Sequence, residues 1–446
     1  MNLKRTLGLF PATNIVIANM IGAGIFTTSG LLLAGLHDPK LMILLWIIGG
    51  VIALCGALSY GELGASMPEP GGEYLFLSRI FHPMFGFLSG WVSFLVGFSA
   101  PIAASAIGFS EYFIRAFPGL SGFFLNNLDI SQTVLQKSFS VIIVLVFALI
   151  HFKGIEFGAK VQNVLTILKV LLIVGLISAI MFSGRGDVAN FTIEKEAGNT
   201  VGLKTIGLSL MWIMFAYSGW NASTYIGSEI KNPSRNLPFS LLLGTAIVMI
   251  LYVLLNVSFV YSTSPEKMKG VISVGGMAIG SLFGNSADRV FSLLISFALF
   301  SSLSAFMIIG PRVYYSMARD GLFFKSVAKI NPVTNVPAVA IFLQALMAII
   351  FIVSGTFEQI LTYMGFSLGI FPILTIIGSI KLRLKGDIKV KMPGFPLTQI
   401  IYLVTGVTIL ILSFMERPVE SSIALATLAA GVPAFYIFKK YNSTSP

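Results

Sequence analysis

The sequence has little charge, few histidines and a single cysteine. Of its 446 residues, 11% are charged and 56% are hydrophobic, which leaves too little polar surface for a soluble protein of this length. One cysteine, Cys55, excludes an internal disulfide framework and a thiolate metal cluster. His37, His82 and His151 have no spacing typical of a metal site or a catalytic triad. We therefore expect no metal, no cofactor and no enzymatic activity.

Long apolar segments are abundant instead. Runs of about 20 residues recur along the chain, separated by charges or by proline and glycine, and each is long enough to cross a bilayer as a helix. The first run follows Lys4 and Arg5 and lacks a small-residue cleavage site, so it is interpreted as an uncleaved first helix. The pattern predicts an all-α polytopic membrane protein with 12 transmembrane helices.

The charge distribution predicts the orientation in the membrane. If the N-terminus is cytoplasmic, most of the 29 Lys and Arg residues fall in loops on that side, as the positive-inside rule requires. Both termini are then cytoplasmic in a multi-pass protein of the cell membrane. The net charge of +11 reflects this topology and contact with anionic lipids. We expect a lipid bilayer as partner and no nucleic acid.

Two of the predicted helices, the first and the sixth, are interrupted near their middle. The first contains Gly22-Ala23-Gly24, and the sixth contains residues 218–221, Ser-Gly-Trp-Asn. Such breaks free backbone groups at membrane depth, and paired breaks in two halves of a chain indicate a transporter site. They open two segments of five helices each, 9–182 and 202–384, the second inverted relative to the first. Residues 398–438 would form helices 11 and 12.

Lys169 lies in the middle of a strongly apolar stretch. A cation at the centre of a membrane helix costs about 2.5 to 3.5 kcal/mol on insertion scales, so it must face protein or water and have partners. Gln162, Thr166 and Lys169 share one helical face, which should point inward. By contrast, Glu62 and Glu111 lie close to membrane interfaces, where solvated carboxylates are expected.

Four segments resemble motifs of the amino acid-polyamine-organocation (APC) superfamily. Residues 21–26 (IGAGIF) are similar to the family's glycine-rich break. Residues 60–74, 215–238 and 312–321 resemble its Y-x-E-L-G…G-G-x-Y, F-A-Y-x-G-W…N-P and R-x-x-Y-S-M-A-R-D-G segments. The third of these segments, 215–238, is similar to the L-type amino-acid transporter branch. The resemblance implies a LeuT-like 5+5 inverted repeat, a single transport domain over 1–446, and amino-acid transport. No cysteine lies between the third and fourth helices, so a prokaryotic member without a disulfide-linked heavy chain is expected.

A broken helix can hold a zwitterion without formal charge. The half-helix starting near Gly24 would offer N–H groups to the substrate carboxylate, and small residues there would permit close approach. Carbonyls of Phe215, Ala216 and Ser218 would accept from the ammonium group. The resemblance further implies that Phe215 is an aromatic gate. The predicted substrate-binding residues are Ile21, Gly22, Ala23, Gly24, Ile25, Phe215, Ala216, Ser218, Trp220 and Asn221.

Lys169 resembles a lysine of the family whose ammonium occupies the place of a sodium ion in sodium-coupled relatives. By that resemblance it would contact carbonyls of the broken first helix and a hydroxyl of the eighth helix. Ser301, Ser302 and Ser304 all qualify as that hydroxyl. Lys169 then either cycles its proton and couples transport to protons, or stays charged and braces the broken helix in a sodium-independent exchanger. Both roles remain open at this point.

The sequence thus predicts a secondary transporter for neutral amino acids, because no carboxylate is expected in the pocket. A cationic amino-acid or polyamine carrier is the alternative, and it would need Glu111 to reach the pocket. A sensor that binds an amino acid without transport is an alternative from a different class. The expected small-molecule partners are an amino acid and, for the symporter, protons.

Overall fold

The computed structural model describes residues 5, 7–69, 71–152, 155–192, 201–331, 334 and 336–443; the side chains of 125, 155–163, 442 and 443 lie outside that description. These residues form α-helices with short 3-10 and π turns and no β-strand. The helices of the first half are α1 (Leu9–Met20), α2 (Ala23–Leu36), α3 (Pro39–Ser66), α4 (Glu73–Ile80), α5 (Pro83–Val92), α6 (Ser99–Ala116), α7 (Pro118–Leu128), α8 (Gln132–Phe152) and α9 (Ile155–Met181). Those of the second half are α10 (Leu203–Ala216), α11 (Pro233–Ser262), α12 (Pro265–Met268), α13 (Val274–Phe283), α14 (Asn285–Arg319), α15 (Ala338–Ser354), α16 (Phe357–Lys385), α17 (Leu397–Glu416) and α18 (Pro418–Ser443).

Ten helical segments of the described chain are long and apolar enough to cross a membrane. They are α1 with α2, α3, α5 with α6, α8, the part of α9 from Val164, α11, α14, α16, α17 and α18. The helices α10 and α15 are apolar but shorter, and with them the order matches the 12 predicted helices. The predicted class, an all-α polytopic membrane protein, is confirmed.

Local sequence fixes where several of these helices begin. Asp38 caps α3 by accepting from the backbone N–H groups of Lys40 and Leu41 at 2.9 and 3.0 Å, and Pro39 occupies the first helical position. Thr356 and Gln359 form a reciprocal capping box at the start of α16. These caps satisfy N–H groups that would otherwise lack partners at the helix ends.

The two broken helices lie at the centre of the bundle. The helix α1 packs on α11 and α14, while α10 packs on α2, α3, α16 and α17. Among the remaining helices, α3 packs on α11 and α6 packs on α14. The breaks are therefore enclosed by protein, as backbone without helical hydrogen bonds requires at membrane depth.

The first break consists of Ile21 and Gly22, which separate α1 from α2; Gly22 is extended, and Ile21 has a non-helical ψ of 87°. The second begins after Ala216 and contains Gly219 at φ +97°, a left-handed conformation that glycine adopts without strain. A Cβ at Gly219 would lie 2.8 Å from the carbonyl carbon of Asn19. The second break is thus in direct contact with the end of α1, and glycine is needed at that point.

Candidate functional site

Lys169 is buried at the first break. Its Nζ donates to the Ser302 hydroxyl at 3.0 Å, to the Ile21 carbonyl, and to the Ala18 carbonyl at 3.4 Å. These carbonyls belong to the last turn of α1 and the residue after it, where a helix leaves acceptors without intrahelical donors. Among the described residues Lys169 has no acidic partner. The ammonium is held by two backbone carbonyls of the first broken helix and by the Ser302 hydroxyl of α14.

Ser302 is the hydroxyl of α14 that contacts Lys169, and it also donates to the Ile21 carbonyl at 2.9 Å. Ser301 instead pairs with Thr166 at 3.3 Å, and Ser304 pairs with the His151 ring at 3.2 Å. The three serines that sequence could not separate therefore have different partners. The side chain of Gln162, predicted to share the face of Lys169, lies outside the described residues.

Tyr252 of α11 joins the two breaks and was not predicted from the sequence. Its hydroxyl lies 2.6 Å from the Met20 carbonyl and 3.0 Å from the Ala216 carbonyl, one acceptor from each broken helix. The side chain is fully buried. A tyrosine in an apolar helix gives no sequence pattern of its own, so only the packing of α11 against α1 reveals this role.

A cavity of about 130 Å³ lies beside the second break. Four of the predicted residues line it, namely Phe215, Ser218, Trp220 and Asn221. Further lining residues come from α1, α14, α16 and α17, from the second break and from the segment before α6, and they include Asn19, Phe98, Tyr225, Phe306 and Tyr402. The wall is mainly apolar and aromatic with a few polar groups, as in most small-molecule sites.

The predicted residues of the first break do not line this cavity. Ile21, Gly22, Ala23, Gly24 and Ile25 are absent from its wall. A Cβ on Gly24 would lie 2.7 Å from the Cα of Ala216, so this glycine permits close contact between α2 and α10. Glycine at position 24 was expected to leave space for a substrate carboxylate. Close packing of α2 on α10 is a second physical reason for a glycine there.

The predicted carbonyl acceptors of the second break are partly occupied. The Ala216 carbonyl accepts from Tyr252, and the Phe215 carbonyl accepts from the Ser218 N–H at 2.8 Å. No donor from the described residues reaches the Ser218 carbonyl, and Ser218 lines the cavity. Of the three, Ser218 has the carbonyl most available to a substrate ammonium.

Glu73, at the start of α4, lines the cavity although no carboxylate was expected there. Its Oε1 accepts from the Tyr60 hydroxyl at 2.7 Å and from the Asn221 amide at 3.0 Å. Burial raises the pKa of the Glu73 carboxyl to about 7. In the sequence Glu73 follows two glycines in a connection between helices, which is typical of a solvated residue, and no pattern indicated its burial.

The two acids singled out from the sequence behave differently from each other. Glu62 was expected to be solvated, and this is wrong: it is fully buried, pairs with Arg383 and accepts from the Met392 N–H at 2.9 Å. Glu111 accepts from the Gln136 amide at 2.8 Å and does not line the cavity. Of Glu62, Glu73 and Glu111, only Glu73 lines the cavity.

Comparison with known proteins identifies the family of this chain. A family model described as amino acid permease matches residues 7–434. The chain belongs to this family. This amino acid permease is a multi-pass membrane transporter and not an enzyme, and its placement in the APC superfamily is confirmed.

Three relatives illustrate the range of the family. The chain is 28% identical to mouse "b(0,+)-type amino acid transporter 1", covering 99% of this permease and 89% of the relative. It is 29% identical to mouse "Large neutral amino acids transporter small subunit 2", covering 98% and 81%. It is 27% identical to the "Serine/threonine exchanger SteT" of Bacillus subtilis, covering 99% and 98%.

Proposed function

We propose that this permease carries neutral amino acids across the cell membrane by alternating access, without sodium. The observation that carries this proposal is the contact of two broken helices beside a largely apolar cavity, with the Lys169 ammonium on the carbonyls of the first break. A fixed cation there occupies the position that a coupling cation would need. The printed names of the three relatives, which are amino-acid transporters and an exchanger, support the substrate class.

The two poles of the substrate would be held by the two breaks. The helix α2 begins after Gly22 without a side-chain cap, so its first N–H groups and its positive end are suited to a carboxylate. The Ser218 carbonyl is suited to the ammonium, and Phe215 closes over the substrate as a gate. Because Ile21–Ile25 do not line the cavity, this proposal requires the space to extend toward α2 when substrate binds.

Lys169 is proposed to remain charged, which makes the permease an exchanger. Three acceptors surround its Nζ, and each stabilises an ammonium more than a neutral amine. Proton symport, in which Lys169 releases its proton during each cycle, is the second mechanism. Proton symport is favoured by one feature: Lys169 has no acidic partner among the described residues, so burial makes release of its proton easier.

A cationic amino acid is the second candidate substrate, because Glu73 lines the cavity. Neutral substrates are favoured since Oε1 of Glu73 already accepts from Tyr60 and Asn221, and a pKa of about 7 leaves the carboxyl partly protonated at neutral pH. Competition by lysine would separate the two. Lysine that inhibits uptake more strongly as pH rises would indicate the cationic carrier.

The proposed orientation has both termini in the cytoplasm, which follows from the excess of lysine and arginine in loops on the N-terminal side. The lysine-rich cluster from Lys381 to Lys391 would then face anionic lipid. The proposed domain consists of repeats 9–182 and 202–384, followed by helices within 398–438. We propose no nucleic acid and no disulfide-linked subunit as partner.

The deciding experiment is uptake of labelled alanine or leucine into proteoliposomes. One set of vesicles carries an inward proton gradient, and the other is preloaded with unlabelled amino acid at equal pH. Stimulation by preloading alone would establish exchange, and stimulation by the gradient alone would establish proton symport. Specific binding without uptake in either set would contradict transport and indicate a sensor.

A further inference from the structure

Glu73 holds the side chain of Asn221 at the edge of the cavity. The Asn221 Nδ2 donates to Glu73 Oε1 at 3.0 Å, and the same oxygen accepts from the Tyr60 hydroxyl at 2.7 Å. Glu73 is 8% exposed and Tyr60 is fully buried. The contact therefore joins α3, α4 and the second break in a region that excludes most water.

This contact fixes which end of the Asn221 amide faces the substrate. Glu73 Oε1 can only accept here, whether the carboxyl is ionised or carries its proton on Oε2. The amide nitrogen must then point to Glu73, and the carbonyl oxygen Oδ1 must point away from it. The Tyr225 side chain is a second hydrogen-bond partner of Asn221, and the two hydrogens of Nδ2 can serve Glu73 and Tyr225 together. Asn221 lines the cavity, so Oδ1 is the end of the amide left for a substrate donor.

A fixed hydrogen-bond acceptor in an apolar cavity wall distinguishes substrate side chains that carry a donor from those that do not. A substrate side chain that carries a hydroxyl satisfies Oδ1, whereas an isosteric apolar side chain removes water from Oδ1 and gives no hydrogen bond in return. Asn19 adds a second amide to the wall: its Nδ2 donates to the Ile15 carbonyl at 2.8 Å, and the residue lines the cavity.

We propose that Glu73 is a positioning residue for Asn221, and that together they select amino acids with a hydroxyl on a short side chain over apolar ones of the same shape. This inference rests on the proposed amino-acid site and names its preferred substrates, serine and threonine. Glu73 acts through Asn221 and does not itself contact the side-chain hydroxyl.

Threonine and valine provide the test, because they differ by one hydroxyl in place of a methyl group. Inhibition of labelled alanine uptake by each is measured in proteoliposomes, and their binding to purified protein is measured by thermal stabilisation. The wild type should prefer threonine by about tenfold, the value of one net hydrogen bond. In Glu73→Leu the acceptor is removed and the side-chain volume is nearly kept, so the Asn221 amide is no longer oriented by Glu73 and the ratio should fall to about two or less.

The inhibition constant of valine separates positioning from general damage. It should change less than about threefold in Glu73→Leu, because valine makes no hydrogen bond to Oδ1. Asn221→Ala removes the acceptor itself and should give the same loss of ratio. Glu69→Gln is the matched control, since Glu69 lies in the same connection but is exposed, pairs with Arg79 and does not line the cavity.

An equal preference for threonine and valine in the wild type would overturn the inference, as would an unchanged ratio in both Glu73→Leu and Asn221→Ala. A parallel loss of both ligands in both variants would also overturn it, since that is the result of structural damage. Threonine-selective binding without any uptake would contradict the proposed transport alone. Uptake with equal affinities would contradict the selectivity alone.

Discussion

Replacing Lys169 by methionine tests the bracing of the first break. Methionine keeps an unbranched stem of similar volume but removes the charge and the donors to Ser302 and Ile21. A hydrogen bond from a charged group contributes about 1.5 to 3 kcal/mol. Loss of two such bonds should destabilise the substrate-competent geometry by about 3 kcal/mol or more, which corresponds to a fall in uptake of roughly 100-fold.

Folding should respond less than transport. Burying an ammonium has a large desolvation cost, and replacing a buried charged group by an apolar one of similar volume is often neutral for stability. The Ile21 carbonyl also retains its bond from Ser302 at 2.9 Å. We therefore expect Lys169→Met to insert and melt close to the wild type while exchange of labelled alanine in proteoliposomes is nearly lost.

Lys137→Met is the matched control for this variant. Lys137 also donates to a backbone carbonyl, that of Val353 at 2.7 Å, but it is only half-buried and its contact joins α8 to the end of α15, neither of which is a broken helix. Its replacement should leave uptake within about twofold of the wild type. Normal uptake by Lys169→Met would refute the bracing argument, and so would a loss of uptake that only follows loss of inserted protein.

Four further changes test the surrounding structure. Tyr252→Phe removes the hydroxyl shared by both breaks and should lower uptake about tenfold, with normal expression. Glu62→Gln leaves Arg383 partly buried without its anion, so the melting temperature should fall as expected for a loss of about 3 kcal/mol; an unchanged melting curve would contradict this. Gly24→Ala adds a Cβ 2.7 Å from the facing helix backbone and should cost about 1 to 3 kcal/mol of stability, measured by thermal unfolding. Burial raises the pKa of Glu73 to about 7, which disfavours the ionised carboxyl while the cavity is closed. Rising pH should therefore increase the population of conformations that expose Glu73 to water. Uptake that is limited by this opening should rise as internal pH goes from 6 to 8, and the rise should be absent in Glu73→Gln.

The features that could be predicted from the sequence are those that cost free energy in a membrane helix unless the fold compensates for them. A lysine in an apolar stretch and glycines at the middle of a membrane helix are both unfavourable unless the fold compensates them, so their presence indicates a site without knowledge of packing. The positions of both breaks and the burial of Lys169 agree with this reasoning. The helix order followed from apolar length alone.

Features that depend on the rotation of a helix could not be predicted. Ser301, Ser302 and Ser304 differ by about 100° for each residue around α14, and only the packing of α14 against α1 brings Ser302 to Lys169. Glu73 illustrates a second limit. Its burial results from α4 docking under the second break, whereas its sequence neighbours are two glycines and a charged connection, which are typical of solvent.

The contacts of Ile21 bear on the choice between a fixed cation and a proton carrier. Its carbonyl is bound by a hydroxyl of α14 and by the ammonium of α9. A serine side chain is short, so a movement of α1 relative to α14 of more than about 1 Å would break that bond. The lysine stem has four rotatable carbons and can follow the carbonyl through such a movement. If alternating access moves α1, Lys169 is the donor that persists while Ser302 is released, and the acceptors left at the break would then favour the charged ammonium in both states.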